Sequence, residues 1–182
     1  KQYFVMKTRS VFRYRCEMDG RVLVAEHNGA YVLKLVGDVR LTLSSTIDQC
    51  VERMFSSIAC QSVIIDLTET EGLDSTTLGM LAKMALFVRK QLHLRPVAVS
   101  DNDSIIHLLN SMGFEQIMDI QRTQTLRDVV DGELHPTALN EAALDEKQAK
   151  EKVLQAHQIL MTLNQKNKET FKELVDRLCK DC

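Results

Sequence analysis

The run Val63-Ile64-Ile65 constrains the fold of this chain more than any other feature. A strand with one face in water alternates apolar and polar side chains. An unbroken β-branched run instead suits a strand buried on both faces, the kind found in parallel sheets covered by helices. Residues 22–131 supply the other pieces. Residues 22–26 and 31–36 are β-rich and are separated by His27-Asn28-Gly29, where Asn-Gly signals a hairpin. Gly37 is expected to close the second run. Leu43, Ile47, Cys50, Val51, Met54 and Phe55 recur at helical spacing. After the buried run comes an acidic stretch, Glu69-Thr70-Glu71-Gly72, read as a loop, and then a helix carrying Leu78, Leu81, Ala82, Ala85 and Leu86. Val97-Ala98-Val99 is a second short buried strand. Ile105, Leu108, Leu109 and Met112 mark a third helix, with Asp103 or Ser104 as its cap and Gly113 at the position a helix-ending glycine takes. Residues 117–120 suit a last strand, and Leu126, Val129 and Val130 a last helical turn or two. Strands alternating with helices imply right-handed crossovers. The expected class is α/β: a mixed, mainly parallel sheet flanked by helices, led by an antiparallel hairpin.

Two segments flank this domain. Residues 1–21 form a basic arm with six positive and two negative side chains. A solvated extension is the simplest reading of such an arm. Residues 132–182 have no Gly or Pro after Pro136 and read as a helical C-terminal extension. From Val153, apolar residues fall at Ala156, Leu160, Leu163, Phe171, Leu174 and Leu178, interrupted by Asn167. That stripe suits three arrangements: a hairpin packed on the domain, a coiled coil joining two copies into a homodimer, or insertion in a partner's groove.

Composition narrows the function. The net charge of −2 points away from nucleic acid and membrane surfaces. No apolar run approaches the roughly 20 residues that span a bilayer, and residues 1–20 lack the apolar core of a signal peptide. Five scattered cysteines, Cys16, Cys50, Cys60, Cys179 and Cys182, do not form a disulfide pattern, so a reducing, cytoplasmic setting is expected, with Cys50 a small core residue. Cys179-Lys180-Asp181-Cys182 has metal-like spacing but lacks a second pair. His27, His93, His107, His135 and His157 show no metal-ligand spacing, and no glycine-rich phosphate loop is present. Cofactors and metals are not expected.

The stretch VIIDLTETEGLDSTTLG, residues 63–79, resembles the STAS domain of bacterial anti-anti-sigma factors, in which a hydrophobic strand, a short loop and Asp-Ser-[Ser/Thr]-x-Leu-Gly open a helix. Leu35-Val36-Gly37-Asp38 and Leu108-Leu109-Asn110-Ser111-Met112-Gly113-Phe114 are similar to two further motifs, in the family's order. The resemblance implies that Ser75 is phosphorylated by an anti-sigma factor that is also a serine kinase, and dephosphorylated by a cognate phosphatase, often one attached to a response regulator. It further implies that the unphosphorylated form binds the anti-sigma factor and the phosphorylated form releases it. Partner contacts are expected at Asp38, Asp74, Ser75, Thr76 and Lys83. Members often carry an acidic residue three positions after the early glycine. Here Arg40 stands there, and either Asp38 substitutes for that residue or Arg40 pairs a phosphate. Thr77 replaces a common glycine.

Local chemistry fits that reading. Asp74 is a natural N-cap, which leaves Ser75 and Thr76 in the first helical turn with the Ser75 hydroxyl expected in the open. Yet Asp-Ser at a helix start is most often capping chemistry alone. A hydrolase reading lacks the glycines that flank a nucleophile elbow, so no enzymatic activity is expected. Asp101 and Asp103 before the third helix lack a second constellation. Two other roles stay open: a STAS-type structural subunit of a membrane-transport assembly, and an adaptor that oligomerises through its tail.

Overall fold

The computed structural model describes residues 20–27, 29–56, 60–123, 137–138 and 144–180. The basic arm and the helical turn expected around Leu126, Val129 and Val130 lie outside the described residues. Strands β1 (Arg21–His27) and β2 (Ala30–Val39) form the expected antiparallel hairpin. Helix α1 (Ser44–Ser56) follows a 3-10 turn at Leu41–Leu43. Next come β3 (Ser62–Leu73), α2 (Ser75–Phe87), a π-helical turn at Val88–Leu92, β4 (Val97–Val99), α3 (Asp103–Ser111) and β5 (Asp119–Gln121). The short strand β6 (Thr137–Ala138) precedes two helices, α4 (Glu146–Met161) and α5 (Gln165–Lys180). The sheet runs β5-β4-β3-β2-β1-β6, parallel from β2 to β5 and antiparallel at β1 and β6.

Burial follows the period-2 rule of strands. On β3, Val63, Ile65 and Leu67 enter the main core with residues from all five helices, while Ile64 joins Ala25, Val32 and Val99 in a smaller cluster. The unalternating run is therefore buried on both faces.

Three sequence expectations need correction. Gly37 does not end β2. It takes a φ of 73° at a register shift and the strand continues to Val39, a conformation that glycine adopts without a side-chain clash. Nor is the acidic stretch 69–72 a loop. Once the shift is made, Glu69 pairs with Val36, Thr70 with Gly37 and Gly72 with Asp38, and the Thr70 hydroxyl donates to the Leu35 carbonyl at 2.8 Å. Backbone pairing outweighs the polarity of the side chains, because Glu69 and Glu71 point to water from a strand whose amides are satisfied. Finally, α3 is capped by Asn102, whose side chain accepts from the Ser104 amide at 2.9 Å, one residue earlier than expected. Gly113 sits just past that helix with φ 82°.

The tail is a hairpin of two helices packed on the domain. Asp145 opens α4 with a capping box to Gln148. Asn164 accepts from the Asn167 amide at 2.7 Å where α5 begins. The apolar stripe is spent within the chain: Ala156, Leu160, Leu163 and Phe171 join the main core, and Leu174 alone is an exposed large hydrophobic residue among the described ones. Asn167, which interrupts the stripe, is buried and donates to the carbonyls of Met112 and Leu160 at 2.9 and 3.0 Å. A polar residue at a seam of this kind fixes register, since an apolar replacement would lose both bonds, the one to Met112 included.

Candidate functional site

The turn between β3 and α2 is held by Asp74 and Thr77, whose side chains bond main-chain groups. Asp74 caps α2, one carboxylate oxygen accepting from the Thr77 amide at 2.7 Å and the other from the Leu41 amide at 2.8 Å. The Asp74 amide donates to the Val39 carbonyl at 3.3 Å, and the Thr77 hydroxyl donates to the same carbonyl at 3.2 Å. Both oxygens of the motif's Asp are therefore committed to the turn that presents Ser75, which makes Asp74 a positioning residue.

Three hydroxyls open α2, and their environments differ. Thr76 is 5% exposed and Thr77 0%, whereas Ser75 is half-buried. Thr76, expected among the exposed neighbours of Ser75, is therefore inside. The helix is sandwiched, with the core on one side and the tail on the other, so its second and third residues lie in contact regions.

Ser75 itself is not in the open. Its Oγ lies 2.9 Å from Nε2 of His157 on α4. The other ring nitrogen, Nδ1, lies 2.7 Å from the Val153 carbonyl, which can only accept. In a neutral ring the proton thus sits on Nδ1, and the Ser75 hydroxyl donates to Nε2. His157 is 3% exposed, and the Phe171 ring packs edge-on against it at 4.8 Å. The sequence offered a weak signal for this residue: His157 follows Ala156 on the apolar stripe, at a position facing the core rather than water. Which surface the stripe would meet was not encoded locally.

The contact continues along α2 at four-residue spacing. A Cβ on Gly79 would lie 2.4 Å from the Ala156 Cβ and 2.5 Å from its backbone oxygen, so the motif's glycine is where the two helices touch backbone to backbone. Lys83 bridges three helices, donating to Asp48 of α1 at 3.0 Å and to Gln155 of α4 at 3.2 Å. Lys152 of α4 pairs with the same Asp48 carboxylate, and burial there pushes its ammonium pKa down.

Asp38 and Arg40 pair with each other, Nε to carboxylate at 2.7 Å. The Asp38 carboxylate also fills the space over Gly72, where a Cβ would come within 2.7 Å. Behind them, Lys34 bonds Asp66 and Glu69 at 3.0 and 2.8 Å. Partial burial alone would lower its pKa, but the two carboxylates outweigh that and leave it raised. The candidate residues thus fall in two groups. Asp74, Ser75, Thr76 and Lys83 share the α2 turn and its tail-covered flank, while Asp38 lies at the neighbouring end of β2. Among the described residues, no group of three or more His, Cys, Asp or Glu could hold a metal, and no helix is long and apolar enough to cross a membrane.

No curated protein matches the chain. Among solved structures it is similar to the Bacillus cell fate determinant SpoIIAA in its phosphorylated form, at 12% identity and TM-score 0.42, over 58% of this chain and 96% of that one. The family model described as "STAS domain" matches residues 21–129, which begin with β1 and include the whole β3–α2 turn. The chain therefore belongs to the STAS-domain family.

Proposed function

We propose that this chain is a partner-switching regulator of the anti-anti-sigma type. Its unphosphorylated form binds an anti-sigma factor that is also a serine kinase, and phosphorylation on Ser75 releases that partner. One observation carries the reading: of the three hydroxyl residues at the start of α2, Ser75 alone is half-buried where Thr76 and Thr77 are buried, and it stands on a turn held by two carboxylate–amide bonds. A rigid turn that presents one hydroxyl suits a site for group transfer.

The consequence of modification is electrostatic. A phosphoryl group brings about −1.5 to −2 charges. The free amides and positive dipole end of α2 tolerate that charge within the domain. A docked partner does not, because the surroundings already carry exposed Glu69 and Glu71. A loss of about 2.8 kcal/mol weakens binding roughly a hundredfold, which burial of an uncompensated dianion readily exceeds. The dephosphorylating partner would be a cognate phosphatase. Contacts with the kinase would centre on Ser75, with Lys83 and Asp38 at the margin.

Affinity for the cognate anti-sigma kinase, measured with wild type, Ser75→Ala and Ser75→Asp, tests the switch. Ser75→Ala should bind at least as tightly as wild type, and Ser75→Asp at least tenfold more weakly than Ser75→Ala. Equal binding by both variants removes the charge switch and leaves the STAS domain a structural subunit.

A further inference from the structure

We propose that the α4–α5 hairpin is an autoinhibitory cap: it occupies the α2 surface in cis, and Ser75 becomes available to a kinase or partner only when the hairpin leaves. The inference rests on the reading of Ser75 as the switch, but its physical content, a separable cap, stands on geometry.

Three contacts place α4 on one stripe of α2: Ser75 with His157, Gly79 with Ala156, and Lys83 with Gln155. These α2 residues open the helix and run along the flank of the phosphorylation motif. A kinase needs the Ser75 oxygen with room for an in-line phosphoryl donor. One side of that room is taken by an imidazole 2.9 Å away. The ring is held there by the bond from Nδ1 to the Val153 carbonyl and by Phe171 packed edge-on against it. A phosphoryl group on Ser75 would compete with that imidazole for the space beside the oxygen. Modification and closure then oppose each other, so by linkage whatever opens the cap favours modification, and modification favours the open cap.

The composition of the seam suits release. Beside the apolar contacts of Ala156, Leu160 and Phe171, the seam holds a histidine on a hydroxyl, a lysine–carboxylate pair and a lysine–amide bond, polar groups that water can satisfy after opening.

The test needs no kinase. Ser75→Cys is placed in the full chain, and the rate of maleimide labelling at position 75 is followed by peptide mass mapping. The buried Cys50 of α1 is read in the same sample as a report on the domain core. Closure predicts slow labelling at position 75. Ala156→Arg, which wedges the seam from the tail side and leaves every STAS residue unchanged, should speed it at least tenfold with Cys50 still protected. Gly79→Ala, which wedges the same point from α2, should do likewise. Two outcomes overturn the proposal: labelling at position 75 that is already fast and unmoved by either wedge, or labelling that rises only together with Cys50, which would mean that the hairpin opens solely when the domain unfolds. A cap that passes this test while Ser75 carries no phosphate in cells would sink the phosphorylation reading alone.

Discussion

Ser75 lies between two supports of different kinds. Behind it, the β3–α2 turn is stapled by Asp74 to the amides of Thr77 and Leu41, and by Thr77 to Val39. In front of it, the tail touches α2 through an imidazole on the hydroxyl, an alanine on a glycine and a lysine on a side-chain amide, with Ala156, Leu160, Leu163 and Phe171 packed into the main core beside them. The first support is woven into the sheet and cannot move without unfolding it. The second is a packed seam between helices, which the proposed cap would have to open. On the proposed reading, the switch keeps its hydroxyl in a fixed position while the cover over it changes.

Substitutions should separate the two supports. The largest effect belongs to the sheet. Ile65→Ala, in the central strand and fully buried, should cost about 2–5 kcal/mol and shift the denaturant midpoint of the sheet and the tail together. Asp74→Ala should cost about 2 kcal/mol, since it removes a helix cap and a second amide bond, and should loosen the turn; Asp74→Asn, which can still cap, should lose less. His157→Ala should cost about 1 kcal/mol and raise amide exchange in α4 and α5 while β2 and β3 keep their protection. Equal loss of protection in sheet and tail would erase the distinction between the supports. Least of all, Arg177→Ala on the outer face of α5 breaks an exposed pair with Glu173 and should change stability by less than about 0.5 kcal/mol.

Much of the fold was legible because it depends on local pattern. The apolar run at Val63, the Asn-Gly hairpin and the helical spacing around Ile47 and Leu109 each encode their own element. The misreadings arose where tertiary pairing overrode local chemistry. The strand through Glu69 and Glu71 is polar and exists because β2 offers backbone partners at a shifted register. The end of β2 passes through Gly37 because a bulge, not a turn, uses its positive φ. At the site, Asp74 as cap was readable from its position before Ser75-Thr76-Thr77. The His157 contact was not, since it joins residues 82 apart in sequence, and a histidine on an apolar stripe does not announce what it will face. The open hydroxyl expected from the motif alone is, for the same reason, a covered one.

The most direct measurement is the phosphate itself. The chain, purified from its native cells as wild type and as Ala156→Arg, would be fragmented and sequenced by mass spectrometry through residues 74–79. Phosphate on Ser75, absent from Thr76 and Thr77 and more abundant in the wedged variant, is the result predicted. Unmodified Ser75 in both proteins, or phosphate on the buried threonines instead, would contradict the account at its centre.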